Sequence, residues 1–182
     1  KLIAYDTTSR ESNLELIHDV QAYLQQQGLE TVLTHDASGR KANLFATIPA
    51  ADGTCTGGIV LSGHTDVVPV DGQNWSSDPF KAEIRDDRLY GRGTCDMKGF
   101  VGVTLQLVPE MLATKLAKPI HLAYSYDEEV GCIGVGRLIE DLARAELRPA
   151  DGRFGSGPSK VRPEAVQALA DVHYDPFKPL DK

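Results

Sequence analysis

The sequence predicts an α/β fold, a three-layer domain on a mixed, largely parallel sheet. Two observations carry that expectation. Short strand-like runs alternate with longer segments of helical periodicity, the order that places helices against a sheet. Histidine and acidic residues also fall where the strand-like runs stop, and the carboxyl ends of strands are where open α/β sheets hold their ligands.

In chain order, "TSRESNLELIHDVQAYLQQQG" carries Leu14, Ile17, Val20 and Leu24 at three- and four-residue steps, with Gly28 at the C-terminal stop. "ETVLTH" and "NLFATIPA" alternate as strands, and "GGIVLSG" is a nearly continuous apolar run expected to be a buried strand. "PFKAEIRDDRLYGRG" predicts a hairpin turning at Asp86-Asp87. From Met97 to about Leu116 the pattern is helical, with a kink or break expected at Pro109. "PIHLAYSYDEE" is the next strand and "GVGRLIEDLARAEL" the next helix.

The 182 residues are 41% hydrophobic and 25% charged, as in a soluble globular domain of one core. A net charge of −7 with no basic patch argues against nucleic acid and anionic lipid as partners. No run reaches the length of a membrane span, and "KLIAYDTTSR" lacks the regions of a secretory signal, so the cytoplasm is expected. Cys55, Cys95 and Cys132 form no C-x-x-C pair and are odd in number, which disfavours a disulfide framework; they are expected to be small buried residues. The chain opens on Lys1 in mid-pattern, and residues upstream are expected.

The candidate chemistry lies in three groups: "GHTD" with His64 and Asp66, "GTCDMKG" with Asp96, and "YDEEVG" with Asp127, Glu128 and Glu129. Singly, each has an ordinary explanation as a helix cap or a solvated acid. Together, at element ends and beside glycines, one imidazole and several carboxylates suit a hard or borderline divalent metal. A carboxylate bridging two metal ions would let them activate water and polarise a carbonyl, with a neighbouring carboxylate as base. His18, His35, His121 and His173 read as bystanders.

"SGHTDVVP", "GRGTCDMKGF" and "YDEEVGCIG", in this order, resemble the dinuclear zinc deacylase and exopeptidase family that includes aminoacylase, carboxypeptidase G, succinyl-diaminopimelate desuccinylase and acetylornithine deacetylase. "DTTSRESN" and "SYDEEVGCIGV" look most like the acetylornithine deacetylase branch. The resemblance covers Lys1 to about Pro149 and implies a zinc-exopeptidase-like fold and two divalent ions, zinc or cobalt. It further implies that His64, Asp96 and Glu129 are metal ligands, with Asp96 as the bridge between the other two. Glu128 would be the general base and Asp66 the partner of His64. Gly63, Gly91, Gly93 and Gly99 would pack closely around the site, and the Asp96-Met97 bond would be cis. The implied reaction is hydrolysis of an N-acyl amino acid, with N-acetylornithine and arginine biosynthesis as its setting.

The family's later acidic and histidine ligands, and the lid domain through which its members dimerise, have no recognisable counterpart in the sequence. Residues 1–149 are therefore expected to be the N-terminal part of a catalytic domain, and 150–182 a tail of different character whose origin the sequence leaves open. Within that tail, residues 151–169 resemble the start of a phosphoserine aminotransferase. A catalytically incomplete fragment or fusion, with a binding or structural role only, is the competing reading.

Overall fold

The computed structural model describes residues 1–144; the expected tail, with the stretch 151–169 and His173, lies outside the described residues. After a 3-10 turn at Leu2–Ala4, the elements are α1 (Leu14–Gln26), β1 (Thr31–His35), β2 (Ala42–Ile48), β3 (Ile59–His64), β4 (Glu83–Arg85), β5 (Arg88–Tyr90), α2 (Lys98–Ala113), β6 (Ile120–Ser125) and α3 (Ile133–Arg144). No described helix is long and apolar enough to cross a membrane.

The described main sheet is mixed, in the order β1-β2-β6-β3. A tight turn forces β1 and β2 antiparallel, with Asp36 accepting the backbone N–H groups of Ser38 and Lys41. β2 and β6 are also antiparallel, so the parallel part is confined to β3 and β6. That pair is joined through the β4–β5 hairpin and α2, the long crossover that parallel neighbours require. β3 lies at an edge of the described sheet and is only partly covered, with Ile59 49% exposed, where its apolar sequence suggested full burial.

Alternation along β2 and β6 feeds two cores. Leu44, Ala46, Ile48, Leu122 and Tyr124 face α1 and α2, meeting Ile17, Val20, Leu24, Val101, Leu105 and Val108. Phe45 and Ala123 face the other way, onto Leu138 and Leu142 of α3. The three layers follow from this two-sided packing.

Two local expectations meet different outcomes. The hairpin turns at Asp86 and Asp87, both left-handed at φ 49° and 56°, the conformation that a two-residue turn between twisted strands needs. α2, in contrast, runs unbroken through Pro109. Proline removes the N–H that would bond the Leu105 carbonyl, and the Tyr23 hydroxyl of α1 donates to that oxygen instead, at 3.0 Å. The three cysteines are exposed rather than buried, because each sits in a connection: Cys55 before β3, Cys95 before α2 and Cys132 before α3.

Candidate metal centre

His64 is the last residue of β3, and Glu128 and Glu129 lie just past the end of β6. Because β3 and β6 are parallel neighbours, with His64 opposite Ser125, both ends open on the same edge of the sheet. One ligand atom from each of His64, Glu128 and Glu129 lies within 4.8 Å of the others. Asp96 arrives from the segment leading into α2, with Oδ1 3.0 Å from His64 Nε2, and Glu128 Oε2 stands 3.7 Å from the same nitrogen. These residues meet around His64: Asp96 and Glu128 approach its Nε2, and the tight group of ligand atoms is His64, Glu128 and Glu129, with Asp96 beside it rather than between the others. The Asp96-Met97 bond is cis.

His64 is buried, whereas the Asp96 side chain is 72% exposed. The imidazole Nδ1 is held 3.0 Å from the backbone carbonyl of Asp66, with the Asp66 carboxylate farther off at 3.5 Å. A carbonyl at Nδ1 calls for a proton there, so Nε2, which faces the acidic cluster, is the nitrogen that would give up its proton to leave a lone pair for a metal. Burial pulls the His64 pKa down, but Asp66, Asp96 and Glu128 together outweigh it and push it up to about 9. Burial pushes Glu129 up as well.

The Asp66 carboxylate is a hub. It accepts the Ser9 hydroxyl at 2.7 Å and the backbone N–H groups of Glu128 and Glu129 at 3.0 and 3.1 Å. Burial opposes its ionisation, yet His64, Ser9 and these two amides hold its pKa below the usual value. Sequence alone suggested Asp66 as a partner of His64; the structure adds that it anchors the backbone of the acidic pair.

Several supporting residues were not foreseen. Asn43, fully buried within β2, accepts the Tyr126 N–H and donates to the Gly134 carbonyl, bracketing the 127–133 turn. Gly134 must lack a side chain, since a Cβ would fall 2.2 Å from the Tyr126 carbonyl. Asn13 ties Ala42 to Thr65, and Thr7 donates to the Thr65 carbonyl, so the N-terminal segment braces the stretch after β3. Gly99, by contrast, was among the glycines expected to pack closely here, and it does: the Thr94 carbonyl would lie 2.0 Å from an added Cβ. Lys98, one residue into α2, is buried with its ammonium on the Tyr5 carbonyl, and burial lowers its pKa to about 8. A polar residue inside an apolar strand, as at Asn43, was the available signal.

Residues 60–181 match peptidase family M20/M25/M40. The chain belongs to that family. It is 36% identical over 154 residues to acetylornithine deacetylase of Pasteurella multocida, covering 84% of this chain and 38% of the relative. With acetylornithine deacetylase of Yersinia pseudotuberculosis the figures are 35% over 162 residues, 88% and 41%. The chain thus spans about two fifths of the length of these curated relatives. Among solved structures, human carnosine dipeptidase 1 superposes with a TM-score of 0.64 at 24% identity, over 87% of this chain and 35% of that one. A tripeptidase from Staphylococcus aureus gives 0.58 at 23%, over 82% and 39%. At such identities the two structures speak to the fold, which they share.

Proposed function

We propose that this chain carries the first part of the catalytic domain of a metal-dependent deacylase that hydrolyses the amide of an N-acyl amino acid. N-acetylornithine, in cytoplasmic arginine biosynthesis, is the most specific substrate the reading supports. The observation that carries it is the meeting of His64, Asp96, Glu128 and Glu129 at the open ends of two parallel strands. The names of the curated relatives favour the deacetylase branch.

The donor set fits the expected ions: a buried imidazole nitrogen and carboxylate oxygens suit zinc or cobalt. In this proposal His64, Asp96 and Glu129 hold two divalent ions, which when bound supply a Lewis acid for the acyl carbonyl and lower the pKa of water. Asp66 keeps the Nε2 lone pair of His64 aimed at the site through its backbone carbonyl. Glu128 takes a proton from the attacking water as the carbon–oxygen bond forms. It returns that proton to the amine nitrogen as the carbon–nitrogen bond breaks. Its side chain, 41% exposed, is open to a substrate.

Glu128→Gln and Glu129→Gln test this division of labour, in this chain and in a full-length relative. Glu128→Gln should retain metal and lower kcat by at least about 10²-fold, the usual scale for losing a general base. Glu129→Gln should lose metal. Equal metal loss in both would contradict the assigned roles. The second reading is a catalytically incomplete fragment or fusion with a binding or structural role only; metal content near zero together with no hydrolysis would support it.

A further inference from the structure

Lys41 closes a ring of contacts around the acidic turn without itself reaching the cluster of ligand atoms. Its ammonium donates to the backbone carbonyl of Ser9 and to the Asp127 carboxylate; the Lys41 and Asp127 side chains are only 15% and 13% exposed. Ser9 donates its hydroxyl to Asp66, and Asp66 accepts the amides of Glu128 and Glu129, the residues that follow Asp127. Asp127 is left-handed, with φ 53°, a conformation that a residue with a side chain keeps only where its surroundings hold it.

We infer that Lys41 is a positioning residue: by pinning Asp127 to the N-terminal segment it fixes the turn that aims Glu128 and Glu129 toward His64. Asn43 and Asp66 hold this turn through hydrogen bonds to its backbone, whereas Lys41 holds it through a side chain. The pair is nearly buried, so removing one partner leaves the other charge uncompensated and frees the turn. The geometric claim stands alone, and its consequence for metal binding rests on the proposed function.

The test is amide hydrogen exchange in the 182-residue chain, read at Glu128 and Glu129, together with zinc titration by calorimetry. Lys41→Met should speed exchange at these two amides about tenfold, the scale of one lost charged interaction, and leave the β2 and β6 amides unchanged. Asp127→Asn, which keeps the left-handed preference but removes the charge, should do the same, and the double variant should add little because both break one link. Zinc affinity should fall by about tenfold, as when an outer partner of a ligand is removed. Unchanged exchange at Glu128 and Glu129, or acceleration spread evenly over the sheet, would overturn the inference; should Lys41→Met not fold, Asp127→Asn decides. Local acceleration in a chain that binds no zinc before mutation would uphold the positioning role and remove the metal reading. Zinc binding with unchanged exchange would do the reverse.

Discussion

His64 and His121 show how position divides two histidines of one sheet. His64 ends its strand among carboxylates, which hold its charge. His121 lies within β6, stacked on Phe45, with Nδ1 2.8 Å from the Thr47 hydroxyl and Nε2 2.8 Å from the Gly57 carbonyl. Burial lowers its pKa below 6.5, although the Gly57 carbonyl works against the shift. The unfolded chain therefore takes up this proton at a higher pH than the folded chain does. Stability from His121 is full above about 6.5 and is lost as pH falls through the lower folded value. The fall in Tm as pH drops below about 6.5 should accordingly be shallower in His121→Gln than in the unsubstituted chain. An identical slope in scanning calorimetry would show that His121 carries no such linkage.

Helix α2 persists through Pro109 because another helix replaces the bond that proline removes. Tyr23→Phe should strand the Leu105 carbonyl and cost about 1 kcal/mol, the net worth of a typical hydrogen bond. In a Pro109→Ala background the helix regains its own donor, and the same change should cost much less; additive losses in denaturant unfolding would refute the compensation. This element also shows where local reading stops. The Asp86-Asp87 turn was legible because its chemistry lies within the turn, as was α1, whose spacing alone defines an apolar face. The break expected at Pro109 failed because the decisive hydroxyl lies 86 residues away in sequence, on a surface that periodicity does not reveal.

Across the whole molecule the same distinction separates the site from its supports. His64, Glu128 and Glu129 were legible as candidates because they stand where apolar strands end, and Asp96 because it precedes a helix between glycines; their separate roles came from the family resemblance. Ser9, Lys41 and Asn43 were not, since their roles depend on partners 57, 86 and 91 residues away, and as isolated residues they read as turn or surface chemistry. The alternation of strands and helices announced three layers, but it did not reveal that the first two strands form an antiparallel flank, which a short turn rather than a crossover decides. What the fold achieves is to bring two parallel strand ends together and to brace the loop beyond them from the N-terminal segment and β2. The most direct test of that as a metal centre is anomalous diffraction at the zinc edge from crystals grown with zinc. A peak is expected about 2.0–2.2 Å from His64 Nε2 and from a Glu129 carboxylate oxygen, with Asp96 turned toward it. No peak within reach of His64, or zinc held only elsewhere on the surface, would contradict it.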